Sequence, residues 1–363
     1  MVKWISKDDC TGCEACLNIC PVNAIRMVPD SMGFYCPTIG NECTDCGECE
    51  NVCKKRLSIV GTKNTAKKAY IAINKNEKVR FTSTSGGIFF ELGKAILNDG
   101  GCVVGAGYLD GCKVAHFLID SVEELQKLMQ SKYVQSRVGY VYRDISDLLN
   151  EDKKVLFCGT PCQVVALKTM LHSKALEKLY TLDFICMGVN SPLAYSKWLE
   201  ELENHHGSKV NKVWFKYKDE GWNKSPFTTK IEFENGEGLV LRGEDNLYMR
   251  AFLEKRCIIR KTCSRCRFKG DKRLSDITVG DFWGVKEEYD DDKGTSAVII
   301  NSSKGSTLVG KISDKVLFYS CELKDIKKGN LHYDESVCIA DCSEDFLMDL
   351  NNSCFSEVFK EYN

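Results

Sequence analysis

No hydrophobic run in this chain approaches the roughly 18 residues that a membrane-spanning helix needs. The most apolar stretches, near Val103 and Val298, have only strand length, so a membrane span is excluded and any membrane association would need a partner. An excess of charge of one sign is also lacking. The 50 Lys and Arg stand against 51 Asp and Glu, a formal net charge of −1, which leaves no basic footprint for nucleic acid. Met1 to Asp9 is polar and has no resemblance to a secretory leader. Cysteine, by contrast, is abundant, with 21 in 363 residues. So many thiols without an export signal lead to the expectation of a reducing compartment, a cytoplasmic location and an anaerobic or facultatively anaerobic source.

The spacing of these cysteines carries the strongest signal. Cys10, Cys13, Cys16 and Cys20, followed by Pro21, repeat as Cys43, Cys46, Cys49 and Cys53. This is the C-x2-C-x2-C-x3-C run of a two-cluster ferredoxin written twice, in which the fourth cysteine of each run ligates the other cluster. Cys53 is therefore expected to complete the first [4Fe–4S] cluster and Cys20 the second. Zinc closes with four ligands in paired C-x2-C units, and a disulfide framework has no reason to repeat this spacing. The first 60 residues hold six Lys and Arg against eight Asp and Glu, which suits a basic patch on a redox partner but equally describes ordinary surface charge.

The ferredoxin domain is expected over residues 1–61, with a polar linker at Gly61 to Lys68. Beyond it strands and helices alternate. Strands are expected at Ala69 to Ile73, Val103 to Leu109, Lys113 to Ile119, Lys154 to Cys158, Tyr180 to Cys186 and Ile277 to Phe282. Helices are expected at Ile88 to Leu97, from a Ser121/Glu124 capping box to Gln130, at Cys162 to Leu171 and at Tyr195 to His205. Val213 to Leu241 reads as antiparallel strands with a hairpin at Asn235-Gly236, and Asp290 to Gly294 as a solvated loop. The fold class is a mixed α/β, α+β architecture: a small two-cluster ferredoxin-like domain, then a large mixed-sheet domain. The large domain divides into 69–150 and a cluster-bearing 151–363.

A third ligand pair, Cys263-x2-Cys266, sits far from the first two runs. Cys162 follows a strand-to-helix turn and Cys186 ends the next strand, and in parallel sheets such strand ends open into one crevice. A third [4Fe–4S] cluster on Cys162, Cys186, Cys263 and Cys266 is one reading, with Cys257 as a rival fourth ligand; structural zinc and unligated core thiols are the others. Ser83-Thr84-Ser85-Gly86-Gly87 precedes a helix start, where a phosphate could dock or a simple N-cap could sit. Lys132 and Tyr133 offer a charge and a ring to a flavin, though each is ordinarily a surface residue.

The ordered motifs Ser83 to Gly87, Ser131 to Ser136, Gly159 to Gln163, Cys263 to Cys266 and Ser275 to Gly284 resemble the beta subunit of coenzyme F-420 hydrogenase/dehydrogenase over essentially the whole chain. The resemblance implies FAD beside a [4Fe–4S] cluster. It would place Ser85, Gly86, Gly87, Lys132, Tyr133, Gln135, Ser136, Gly159, Thr160, Pro161 and Gln163 around the FAD, and Cys162, Cys186, Cys263 and Cys266 on the cluster. Cys257 falls where that pattern has an aliphatic residue. Two departures stand out: no histidine follows Cys186, and Lys54 replaces the proline that often follows the last ferredoxin cysteine.

The expected function is an FAD- and iron-sulfur-dependent oxidoreductase. It would pass electrons from a low-potential donor such as ferredoxin, through three clusters and FAD, to an organic acceptor or the deazaflavin coenzyme. The alternative is a non-catalytic relay subunit bound to a partner. Trp214, Tyr217, Lys218 and Trp222 lie where substrate-dependent variation is expected, although aromatics on amphipathic strands are more often core.

Overall fold

The computed structural model of the chain describes residues 2, 5–58 and 67–362. Residues 61–66 of the linker expected at Gly61 to Lys68, and the ferredoxin boundary near Val60, lie outside the described residues. Lys68 already opens a strand.

The alternating apolar runs form thirteen strands among the described residues. In the N-terminal segment β1 (Ile25–Pro29) and β2 (Tyr35–Ile39) pair antiparallel, flanked by the helices Ala15–Ile19 and Glu48–Ser58. The main sheet contains β3 (Lys68–Asn74), β4 (Cys102–Tyr108), β5 (Val114–Ile119), β6 (Val155–Cys158) and β7 (Leu179–Phe184). A separate antiparallel sheet holds β8 (Val210–Trp214), β9 (Thr229–Phe233) and β10 (Gly238–Leu241). Then β11 (Ile277–Asp281), β12 (Ser296–Ile300) and β13 (Val316–Cys321) rejoin the main sheet, whose order is β13-β3-β12-β11-β7-β6-β4-β5. Pairing is parallel from β4 through β6 and β7 to β11 and antiparallel elsewhere. The fold is thus the mixed α+β class expected from the sequence.

Side chains alternate across the pleat. Val103, Leu156, Leu182, Ile277 and Val298 face the helix Ile88–Asn98 and Leu308 of the helix Ser303–Gly310. Val104, Val155, Phe157 and Leu179 face the helices Val141–Asn150 and Pro161–Met170. On this second face Cys13, Ala15 and Val52 of the N-terminal segment join the same apolar cluster. The ferredoxin segment is therefore packed into the large domain's core.

Glu14 fixes that docking. It is 1% exposed, and its carboxylate accepts from Arg137 Nε and Nη2 (2.6 and 3.3 Å) and from the backbone N–H groups of Val138 and Gly139 (3.2 and 2.9 Å). Arg143 donates to the carbonyls of Leu17, Asn18 and Cys20 at the end of helix Ala15–Ile19, where a cation satisfies otherwise unpaired carbonyls.

Most expected elements appear within one or two residues of their bounds, and the helix at Pro192–His206 is longer than its expected core. One expectation fails. The helix starting at Ser121 is only Leu125–Leu128, and Ser121 Oγ reaches the Glu124 side chain at 3.5 Å instead of capping a helix. The following residues turn away at Gln130, whose φ is 69°.

Candidate functional site

A cavity of about 550 Å³ opens where the strand-end argument places it, with Ala106 on β4, Cys158 on β6, Phe184 on β7 and Asp281 on β11 in its wall. Its volume suits a cofactor-sized organic molecule. Nine of the eleven residues expected around FAD line it: Ser85, Gly87, Lys132, Tyr133, Gln135, Ser136, Gly159, Thr160 and Gln163. Gly86 and Pro161 do not. Gly86 is closed against the sheet, where a Cβ would stand 2.4 Å from Ala72 O; Pro161 is buried as the first residue of its helix.

The Ser83 to Gly87 stretch is more than an N-cap. Ser83 Oγ bonds Val79 O, Ser85 Oγ bonds Thr295 O, and Thr84 Oγ1 meets Ser131 Oγ. The cap position of helix Ile88–Asn98 falls instead to Gly87, at φ 83° and with no side-chain cap. A left-handed glycine leaves the first turn's N–H groups open to an anion, and Gly87, Ile88 and Phe89 border the cavity.

In the same wall, Lys132 Nζ donates to the carbonyls of Met129 (2.5 Å) and Gln130 (3.1 Å) and stands 5.7 Å from the Tyr108 ring centre, and burial draws it down to about 7. Gln135 Oε1 accepts from Tyr35 N (3.2 Å) and Arg260 Nη1 (3.0 Å), while its Nε2 is buried without a partner among the described residues. An orphaned donor and a nearly uncompensated ammonium in one cleft are costly unless a ligand accepts from them. The site thus fits a large anionic, polar cofactor, as FAD is. Ser136 Oγ meets His116 Nδ1 (2.9 Å), and His116 Nε2 meets Cys158 O (3.2 Å). Burial pulls this imidazole down to about 4, so it is neutral near pH 7.

The cysteines gather in three groups. Cys10, Cys13 and Cys53 each raise Cys16, whose thiol burial lifts above its usual range. Cys20 and Cys46 are neighbours of Cys49. The structure thus brings Cys53 to the first run and Cys20 to the second. Cys162, Cys186, Cys263 and Cys266 form the third group. Burial lifts Cys162 to about 12, Cys263 to about 11 and Cys186 well up, with the neighbouring thiols adding. Such thiols become thiolates only beside compensating positive charge, which iron supplies. Among the described residues no three His, Cys, Asp or Glu side chains close on a single metal ion. Cys257 stands apart: it is 1% exposed in the apolar core, its thiol faces Ala251 O at 3.6 Å, and its cysteine neighbour is Cys342.

Sequence reasoning missed the residues that join these groups. Thr11 and Gly12, inside the first cysteine run, form part of the cavity wall. Gly12 has φ +64°, and a Cβ there would stand 2.2 Å from Gln135 Nε2. Arg260, 2% exposed, donates to Cys10 O (2.7 Å), Tyr35 O (3.2 Å), Cys36 Sγ (3.3 Å) and Gln135 Oε1. Cys36 bonds the Cys10 sulfur and, with Arg260, draws Cys10 down to about 6 against the effect of burial. On the far wall Trp283 and Phe227 line the cavity, stacked at 5.8 Å, and Trp222 stacks behind Trp283 at 4.7 Å. Lys216 lies 4.1–4.4 Å from these three rings and 2.8 Å from the Asp281 carboxylate. Arg260 has no spacing to mark it, whereas Trp222 falls in the stretch expected to vary with substrate and Trp283 in the Ser275 to Gly284 motif.

Residues 9–57 match the 4Fe-4S dicluster domain model, and residues 152–326 match the family model for the C terminus of the coenzyme F420 hydrogenase/dehydrogenase beta subunit. No curated protein matches the chain. Among solved structures, a chain of the xenon-derivatised F420-reducing [NiFe] hydrogenase complex from Methanosarcina barkeri aligns with TM-score 0.50 and 18% identity, covering 83% of this chain and 92% of that one. At that identity the likeness speaks for the fold alone. The two matches account for the cysteine runs and for the segment that carries Cys162, Cys186, Cys263, Cys266 and one part of the cavity wall: residues 152–326 belong to the C-terminal domain of the coenzyme F420 hydrogenase/dehydrogenase beta subunit family, and residues 9–57 to the 4Fe-4S dicluster domain.

Proposed function

We propose that the chain is an iron-sulfur flavoprotein oxidoreductase that takes electrons from a low-potential donor of the ferredoxin kind and delivers them to an organic acceptor or a deazaflavin. The observation that carries this reading is the shared wall. One cavity is bordered at once by the first cysteine run through Thr11 and Gly12, by Cys162 and Cys186, and by the polar groups that suit FAD. Clusters handle single electrons, whereas a flavin takes two and exchanges them with an organic substrate as a hydride.

In this reading Cys10, Cys13, Cys16 and Cys53 hold one [4Fe–4S] cluster, Cys20, Cys43, Cys46 and Cys49 a second, and Cys162, Cys186, Cys263 and Cys266 a third. Ser85, Gly87, Lys132, Tyr133, Gln135, Ser136, Gly159, Thr160 and Gln163 hold FAD. The open turn after Gly87 binds the pyrophosphate, Lys132 supplies its charge, and Gln135 offers its free amide hydrogens. Arg260 fixes Gln135 from behind, and Phe227, Phe252 and Trp283 exclude water from the far side.

The relay reading has one specific support, since the structural neighbour belongs to a larger hydrogenase complex. Anaerobically purified protein should carry about twelve irons, four per cluster, and one acid-releasable FAD. Iron-free protein holding zinc, or iron-loaded protein that binds no flavin, would overturn the reading. Protein loaded with both that reduces no small acceptor and copurifies with a second chain would decide for the relay.

A further inference from the structure

The helix Glu48–Ser58 carries three consecutive cations, and one of them is misplaced by the usual rules. Lys54 and Lys55 are exposed, whereas Arg56 is 1% exposed. Its Nη1 donates to Thr11 Oγ1 (3.3 Å), its Nη2 lies 3.9 Å from Cys53 Sγ, and its guanidinium stands 5.2 Å from the Phe268 ring centre, two residues past Cys266. Its Nε is buried with no partner, and among the described residues no carboxylate pairs with it. A guanidinium does not deprotonate in a protein, and a buried charge without a counter-charge costs several kcal/mol.

What surrounds it is sulfur. The cysteines that bear on Arg56 are Cys13 and Cys53 of the first group and Cys162 of the third; together they outweigh the burial that opposes its charge. The guanidinium thus lies between the loop of one cysteine group and the segment of another.

We propose that Arg56 is a positioning residue whose buried charge is shared by the first and third cysteine groups, raising the reduction potentials of the clusters they hold and matching one to the other for electron transfer. This rests on the reading that both groups hold [4Fe–4S] clusters. Charge and hydrogen bonds to cluster sulfur are recognised settings of such potentials. A positive charge favours the more negative, reduced form. The second group is an internal control, because Cys49 lies seven residues back on the same helix, roughly 10 Å along its axis.

The test is an anaerobic redox titration followed by electron paramagnetic resonance, on wild type, Arg56→Gln and Arg56→Lys, each with its iron content measured first. At unchanged iron, Arg56→Gln should make the first and third clusters at least tenfold harder to reduce, ~59 mV for one electron, and leave the second cluster in place. Arg56→Lys, which keeps a charge but loses the planar fork, should shift the same signals in the same direction by a smaller factor, about threefold. Potentials unmoved in an iron-replete variant would overturn the proposal. If Arg56→Gln fails to load iron, Arg56→Met, a neutral chain of similar length, takes its place, and unmoved potentials in that iron-replete variant overturn the proposal. Wild type with iron for only two clusters would instead sink the cluster reading beneath it.

Discussion

Replacing Glu14 with alanine tests whether the ferredoxin segment is held to the large domain by one carboxylate. The substitution removes four acceptor contacts: two from Arg137 and two from the N–H groups of Val138 and Gly139. Breaking a buried ion pair by removing one partner costs about 3–5 kcal/mol. Here Arg137 is 32% exposed and keeps its stacking on Tyr35, 4.4 Å from the ring centre, so water recovers part of its loss. The two orphaned N–H groups cost about 1–3 kcal/mol each. A net loss of about 3 kcal/mol follows, which lowers amide-exchange protection roughly 100-fold. Hydrogen exchange read peptide by peptide should show that loss in Ala15–Ile19 and around Val138, and little change in the β8–β10 sheet. Glu14 also has φ 60°, a conformation in which glycine is at ease and alanine is not. Glu14→Gly should therefore be about 0.5–1 kcal/mol milder than Glu14→Ala. Protection unchanged within threefold in Glu14→Ala, or a glycine variant worse than the alanine one, would refute the reasoning.

His116 titrates near 4 when folded and near 6.5 when unfolded. The unfolded chain then binds the extra proton first, and stability falls as pH drops from about 6.5 towards 4. Between pH 7 and pH 5 this loss is about 2 kcal/mol, and a denaturant series on cofactor-free protein should show it in wild type but not in His116→Gln; equal slopes would remove His116 as the cause. Cys162→Ser should lower bound iron from about twelve atoms to about eight with FAD occupancy unchanged, while Cys257→Ser keeps about twelve; the reverse pattern would make Cys257 the ligand.

Much of this was legible because its signal is periodic or spaced. The cysteine runs announce themselves by count, β4, β6 and β7 by their apolar runs, and the cavity by the rule that parallel strand ends share a crevice. Cys162 and Cys186 could be placed there before Cys263 and Cys266 were seen to join them. What stayed hidden depends on contacts between residues far apart in sequence. Arg260 touches Cys10 and Gln135, 250 and 125 positions away, and no local pattern encodes such a meeting. Gly86 and Gly87 are adjacent and chemically identical, yet one is sealed against Ala72 and the other opens a helix N-terminus. Ser121 and Glu124 have the spacing of a capping box, but Gln130 turns the chain before a longer helix can form.

Gly12 and Thr11 belong to a cysteine run and to a cavity wall at the same time. That double membership makes the N-terminal module a poor cassette. A ferredoxin from another protein, grafted in its place with every cysteine aligned, would still have to present a side-chain-free residue to Gln135 and a carbonyl to Arg260. Without them it would leave the cavity ajar. Inheritance should therefore move these two parts as a pair, and chimeras that respect only the cluster ligands should fail at the seam.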